Sequence, residues 1–243
     1  MEKLIYTTST LDPLRLDQLK VFLWSLHKNG NDWPVALDLV NCTEEEGYKA
    51  FMDVQFLNPC LTLANISQYD KSVGCAKDCT EISMTQLDAM YSRPIGVGKY
   101  LTEDGPDMIC SIDTDIIVRD NLERIWKGEW DLNLYFREKK RDKLKFQGGL
   151  IVYRNIPKVR EYYREFLGGI EEQQDSVYPC QLQMYLLAIK HKLEIGKLPE
   201  KYNDSILQPN SKVWHIKHSH TGKKKWQNEF KQYLKEANER IAS

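Results

Sequence analysis

The sequence predicts an α/β fold, with a largely parallel sheet flanked by helices. Two observations carry this expectation, and a third bounds it. Short apolar runs alternate with helix-period segments through the first half of the chain, the pattern of strands joined by crossover helices. Residues 108–112 (MICSI) form a largely apolar run of strand length, too short for a helix, as in a strand buried on both faces. A length of 243 residues with 42% hydrophobic and 28% charged content fits one large domain with a sizeable core.

The elements follow in order. Lys3–Thr8 is a short strand ending in a run of hydroxyl residues. Leu16, Leu19, Phe22, Leu23 and Leu26 recur at helical spacing within Leu14–His27, and Asn29-Gly30 supplies a C-cap. Val35–Val40 reads as the second strand, Glu44–Leu57 as an amphipathic helix and Leu61–Ile66 as the third strand. The stretch Glu81–Tyr100 is helix-like and expected to break at Pro94. It leads into the Met108 strand. Farther on, Phe146–Tyr153 (FQGGLIVY) is a strand behind a basic loop, Arg137–Lys145. Val159–Leu167 and Cys180–Lys190 read as helices. Gly148-Gly149 marks either a bulge or a close backbone approach to a ligand.

Bulk properties narrow the function. With 34 Lys and Arg against 35 Asp and Glu, the net charge is −1, so there is no overall field to gather nucleic acid or anionic lipid. No run approaches the roughly 20 apolar residues of a membrane span. The start, MEKLIYTTST, lacks the basic-then-apolar order of a signal peptide, and a cytoplasmic protein is the expectation. The six cysteines (Cys42, Cys60, Cys75, Cys79, Cys110, Cys180) are expected to be reduced thiols, since one lies in the buried strand and Cys75 and Cys79, four apart, have no second pair at zinc-ribbon spacing. Sequons at Asn41, Asn65 and Asn203 are no more frequent than chance.

The chemistry concentrates in two places. In MICSIDTDIIVR, Asp113 and Asp115 follow the buried strand one residue apart. In a strand they would share a side, with Thr114 pointing away. Carboxylates that close repel, which raises one pKa or calls for a cation between them. In parallel sheets ligands bind beyond the carboxyl ends of strands, where this pair lies. The second place is SKVWHIKHSHTGKKKW (211–226), with His215, His218 and His220 followed by Gly222 and Lys223–Lys225. A histidine from this cluster with the two aspartates makes an O,O,N set suited to Mn²⁺ or Mg²⁺, with open positions for phosphate oxygens. The lysines suit the anion itself.

At this point the chain resembles the GT-A glycosyltransferases, particularly the retaining branch with glycogenin and the lipo-oligosaccharide galactosyltransferases (glycosyltransferase family 8). The specific stretch is YSRPIGVGKYLTEDGPDMICSIDTDIIV (91–118), similar to that family's aromatic-x-Arg, helix, apolar strand and DxD motif. The resemblance implies a GT-A-like, Rossmann-type mixed sheet in a single domain, 1–243. Residues 1–120 would be its nucleotide-binding half, and 121–243 its donor-sugar and acceptor half with the C-terminal His/Lys segment. It implies that Arg93 contacts the sugar-nucleotide and that Asp113, Thr114 and Asp115 line it, the two aspartates holding the metal. Tyr6, Thr7 and Thr8 would form the uridine edge. FQGGLIVY resembles the family's Phe-Asn-small-Gly strand, putting Gln147, Gly148 and Gly149 beside the donor sugar, with Gln147 where Asn is usual. The helix start at Tyr178-Pro179-Cys180-Gln181 is similar to the family's Asp-Gln-Asp element, with Cys180 and Leu182 in place of the acids. That implies a catalytic role for Gln181 near the sugar, beside Asp115. WHIKHSHTGKKKW resembles the closing His-x-x-Gly-x-x-Lys-Pro-Trp motif at altered spacing. His215 is the implied metal ligand, with His218 and His220 as alternatives, and Lys223 would hold the diphosphate.

The expected activity is transfer of a hexose, glucose or galactose, from a UDP-sugar to a carbohydrate or protein acceptor, with retention of configuration. Two other readings compete. A haloacid-dehalogenase-like phosphohydrolase also uses an apolar strand followed by Asp-x-Asp, but normally on its first strand and with further acids downstream. A non-catalytic sugar-nucleotide-binding module would keep the fold without turnover.

Overall fold

The computed structural model describes residues 1–67, 84–138, 140, 145–172, 179–215 and 224–243, of which 84–91, 170–172 and 179–180 are described as backbone only. Among these lie nine strands, β1 (Lys3–Ser9), β2 (Val35–Val40), β3 (Leu61–Ser67), β4 (Met108–Ile112), β5 (Ile116–Val118), β6 (Leu132–Phe136), β7 (Phe146–Arg154), β8 (Ile195–Lys197) and β9 (Val213–His215). Six helices accompany them: α1 (Pro13–Lys28), α2 (Glu44–Val54), α3 (Met84–Tyr100), α4 (Pro157–Glu172), α5 (Pro179–Lys190) and α6 (Lys224–Ala242).

Seven strands form one sheet in the order β3-β2-β1-β4-β7-β6-β8, while β5 and β9 form a separate two-stranded ribbon. The pairs β3–β2, β2–β1 and β1–β4 are parallel, as the strand–helix alternation requires. β7 then inserts antiparallel to β4, β6 runs antiparallel to β7, and β8 parallel to β6. The sheet is therefore mixed. Its parallel part was legible because helix-period segments separate its strands in the sequence.

Local chemistry fixes the first half. Asp12 caps α1 by accepting the Arg15 N–H (3.1 Å), with Pro13 in the first turn, where its missing N–H costs nothing. Gly30 closes the helix at φ 69°, a left-handed conformation that suits glycine. Thr43 and Glu46 form a capping box on α2. α3 runs unbroken through Pro94, against the expected break. A proline inside a helix costs about 3 kcal/mol, and packing offsets it here. Val97 and Leu101 are buried beyond it, and the Tyr163 hydroxyl of α4 donates to the Pro94 carbonyl at 2.9 Å.

Burial on both faces makes two apolar layers. One packs Ile5, Leu37, Cys110 and Ile112 against Leu19, Phe22, Leu23 and Leu26 of α1. The other packs Leu4, Ala36, Ile109 and Ile151 against Val97 of α3, Tyr162, Tyr163 and Phe166 of α4, and Met184 of α5. A third, smaller cluster joins Val21, Ile117, Leu207, Trp214, Trp226 and Phe230, and so seats α6 and the ribbon on α1. Cys42, Cys60 and Cys110 are free thiols, as expected. Burial pushes the Cys110 thiol far above its ordinary range. Among the described residues, no helix is long and apolar enough to cross a membrane.

Candidate metal centre

Strand β4 delivers Asp113 by extending its pairing one residue: the Asp113 N–H donates to the Gly149 carbonyl at 2.9 Å. The chain then bends, and β5 begins at Ile116. In the β5–β9 ribbon Ile116 stands opposite His215, so register alone carries the histidine to the two aspartates. Ligand atoms of Asp113, Asp115 and His215 all lie within 4.8 Å of one another. His215 Nε2 is 3.4 Å from Asp113 Oδ2 and 3.3 Å from Asp115 Oδ1. The two carboxylates thus converge across a bend rather than along a strand, with Thr114 buried between them.

Asn203 decides the histidine tautomer. Its Oδ1 accepts from His215 Nδ1 at 2.6 Å, which leaves the Nε2 lone pair facing the carboxylates. Asp115 Oδ1 is buried and makes no hydrogen bond among the described residues. Three lone-pair donors with no hydrogen between them are satisfied by a positive charge at their centre, either a proton on Nε2 or a cation. Burial pushes the Asp115 carboxyl up, yet the positive charge it faces, from His215 when Nε2 carries a proton and from Arg15 and Arg93 farther off, more than offsets this and holds it below its ordinary value. Two carboxylate oxygens and an imidazole nitrogen are the donors a hard divalent cation takes, and the side chains of Asp113 and Asp115 remain 29% and 25% exposed, leaving that centre open on one side.

Other sequence-predicted residues gather beside it. Arg93 of α3 pairs its Nη1 with Asp113 Oδ1. A Cβ on Gly148 would stand 3.4 Å from Arg93 Nη2 and 3.7 Å from Gln181 Nε2, so Arg93, Gln181, Gly148 and Asp113 form one cluster. The pairing of β6 with β7 shifts between Leu134 and Phe136, and the two glycines, successive on β7, face different neighbours by strand alternation. Gly149 is approached closely, by the protein itself: a Cβ there would stand 2.4 and 2.5 Å from the His215 ring and 3.2 Å from Asn203 Oδ1. Gln147 is buried next to them.

The β1 residues lie deeper. Thr7 Oγ1 donates to the Ile112 carbonyl at 2.8 Å, bracing β1 against the end of β4. The Tyr6 hydroxyl donates to Asp38 Oδ2 at 2.8 Å and lies flush against α3, where a Cβ on Gly96 would be 1.6 Å away. Burial raises the Asp38 carboxyl despite that hydrogen bond and Lys99 nearby. Thr8 is buried opposite Asp38 in the β1–β2 pairing. His218, His220, Gly222 and Lys223 fall outside the described residues.

Sequence reading missed Asn203 and Asp204. Asn203 registers only as a sequon, and a pair of polar residues in an aperiodic segment gives no signal. Asp204 is fully buried, its carboxylate accepting from the N–H groups of Ile206 (2.6 Å), Leu207 (3.1 Å) and Gln208 (2.5 Å) and from Ser211 Oγ (2.5 Å). Its carbonyl accepts the His215 N–H at 2.9 Å.

The architecture has solved counterparts. An active-site mutant of LgtC, with glutamate for a glutamine, superposes with a TM-score of 0.62 at 13% identity over 97% of this chain and 96% of that one. The galactosyltransferase LgtC with donor and acceptor sugar analogues gives 0.60 at 12% identity over the same shares. The glycosyltransferase GlyE of Streptococcus pneumoniae TIGR4 gives 0.59 at 14% identity, this chain spanning 63% of it. The fold is that of the GT-A glycosyltransferases. No protein-family model and no curated protein matches the sequence.

Within this GT-A fold the aspartate pair ends the fourth strand in chain order and meets a histidine from the ninth, which leaves the phosphohydrolase reading without its first-strand motif. The two glycines separate by substitution. Gly149→Ala is expected to cost about 1–3 kcal/mol by overpacking and to displace the His215 ring, weakening Mn²⁺ binding at least about tenfold. Gly148→Ala, which meets only the ends of two flexible side chains at ordinary contact distance, is expected to cost under about 1 kcal/mol. Urea unfolding and Mn²⁺ titration by electron paramagnetic resonance check both. Equal effects at the two positions would contradict the packing described.

Proposed function

We propose that the chain is a metal-dependent glycosyltransferase that moves a hexose, glucose or galactose, from a UDP-sugar to a carbohydrate or protein acceptor with retention of configuration. The observation that carries this reading is the Asp113–Asp115–His215 set, with the His215 tautomer fixed by Asn203 and Asp115 Oδ1 buried without a hydrogen bond. LgtC, whose fold the chain shares, binds donor and acceptor sugar analogues and has a glutamine in its active site, which supports a nucleotide-sugar donor here and a role for Gln181. In this reading residues 1–120 bind the nucleotide and 121–243 the donor sugar and acceptor.

Asp113, Asp115 and His215 would hold Mn²⁺ or Mg²⁺. When bound, the cation supplies Lewis-acid charge for the departing diphosphate. The residues do the rest. Arg93 directs a guanidinium toward the same carboxylate cluster and is placed to contact the donor phosphates or sugar. Lys223 adds positive charge at the diphosphate, where negative charge grows in the transition state more than in the ground state. Gln181, beside Gly148, presents an amide to the face of the donor sugar and orients it. Thr7 fixes the β1 edge along which the uridine lies, with Tyr6 and Thr8 behind it.

A thermal-shift titration with UDP, ADP and GDP, each in Mn²⁺ and in EDTA, tests the proposal. A ligand at hundredfold excess over its Kd adds about 2.7 kcal/mol, a shift of several degrees. The expected result is stabilisation by UDP alone, lost in EDTA, followed by release of UDP from UDP-glucose or UDP-galactose. No shift with any nucleotide would reject the reading. A shift without turnover would leave a binding module.

A further inference from the structure

The β6–β7 hairpin carries a charge pattern that the metal centre does not use. Its connecting sequence, REKKRDKLK (137–145), holds six cationic side chains against two carboxylates. Arg137 and Lys145 form the neck, the Arg137 N–H donating to the Lys145 carbonyl at 2.9 Å. From Lys145 to Gly148 is three residues, at most roughly 10 Å of extended chain. Gly148 in turn lies against Gln181 and Arg93. The neck therefore stands about a disaccharide's reach from the place where the donor sugar is expected.

Arg137 is the unusual member. Its Nε is buried and has no hydrogen-bond partner among the described residues, and none of their carboxylates pairs with it. Burial pulls its pKa below the ordinary value, yet a guanidinium stays charged. The side chain as a whole is only partly buried, and an oxyanion bridging Nε and a terminal guanidinium N–H would satisfy the orphaned donor. Tyr135, on β6 two residues before it, is near enough for the two side chains to act on one another electrostatically. Burial and the charges of Glu200 and Asp204 raise the Tyr135 hydroxyl, so Tyr135 lies within electrostatic reach of the segment that holds Asn203 and His215. On the other side of the neck, Lys145 donates to the Tyr185 hydroxyl of α5 at 3.1 Å.

Resting on the glycosyltransferase reading, we infer that the acceptor is an anionic saccharide, its carboxylate or phosphate bound by Arg137 and its ring set against Tyr135. Arginine suits both anions because its planar fork takes two oxygens at once.

The test uses three disaccharides of one linkage: one neutral, one with a glucuronate unit and one with a sugar phosphate. Calorimetry in UDP and Mn²⁺ measures their binding to the wild-type chain and to Arg137→Gln and Arg137→Lys. Expected is at least tenfold tighter binding of one anionic probe than of the neutral one. That preference should vanish in Arg137→Gln and return in part in Arg137→Lys, with UDP affinity the same in all three proteins. Which probe binds tells carboxylate from phosphate. Equal binding of all three probes, no binding of any by a protein that binds UDP, or a preference surviving Arg137→Gln overturns the inference. A wild-type chain that fails to bind UDP overturns the glycosyltransferase reading instead.

Discussion

Asp115→Ala is expected to raise the Kd for UDP in Mn²⁺ at least about a hundredfold, to the value measured in EDTA, while the protein stays folded. Asp115 supplies the one ligand atom of the set that is buried without a hydrogen bond, facing the Nε2 lone pair of His215 at 3.3 Å. Removing it leaves a cation two of three protein ligands and takes a full negative charge from the centre. Loss of an outer partner of a metal ligand alone costs ten- to a hundredfold in affinity, so a ligand should cost at least that. Some stability should be lost as well, because the positive charges that hold the Asp115 carboxyl below its ordinary value lose their partner, but not enough to unfold the chain. Isothermal titration with UDP in Mn²⁺ and in EDTA, beside a urea melt, reads both quantities. Unchanged affinity in Mn²⁺ would remove Asp115 from the metal centre. Asp115→Asn is expected to fall between, since it keeps one acceptor oxygen and loses the charge.

The second large effect runs the other way, through stability first. Asp204→Ala is expected to cost about 3–5 kcal/mol, because the lost carboxylate serves three backbone N–H groups and the Ser211 hydroxyl at once. Those bonds hold Leu207 at φ 66°, a left-handed conformation unfavourable for a residue with a Cβ. They also hold the Gln208 carbonyl, which accepts the Trp214 indole N–H at 2.9 Å. Freed of the carboxylate, the segment before β9 no longer fixes the approach of His215, so Mn²⁺ affinity should fall as well. Asp204→Asn, which keeps one acceptor oxygen and turns an amide N–H₂ toward other donors, of which only the Ser211 hydroxyl can turn to accept, should cost less than Asp204→Ala but still unfold more readily than wild type. A loss under about 1 kcal/mol for the alanine variant would mean that the loop is held by something other than this carboxylate.

These two residues mark where the sequence was informative and where it was not. Asp115 could be read because a buried strand has one composition and its abrupt end in acids another. His215 was legible as one of three clustered histidines, and its selection rests on the β5–β9 register, which three-residue strands such as IIV and VWH are too short to announce. Asp204 and Asn203 act through long-range hydrogen bonds, and those leave no period in a chain. Gly148-Gly149 was readable as a special site, but with two meanings. The close approach turned out to be that of His215. β6 and β8 escaped notice as short elements of five and three residues, β8 at the edge of the sheet. α6 was obscured by its start in a lysine run, although Trp226, Phe230 and Ala237 fall on one buried face. At Pro94, local propensity predicted a break that tertiary packing overrode.

The ribbon also sets an order of events in the life of the chain. Ile116 and His215 are separated by roughly a hundred residues, and their pairing closes a loop whose entropic cost must be met before any contact across it is gained. The four parallel strands β3, β2, β1 and β4 need nothing beyond Ile112 to pair, so they can assemble while the ribosome is still making the rest. Such a nascent intermediate has both aspartates but lacks the imidazole. The Asp113–Asp115–His215 cluster is therefore complete only once β9 arrives, and a chain interrupted before His215 carries two facing carboxylates without the imidazole that meets them.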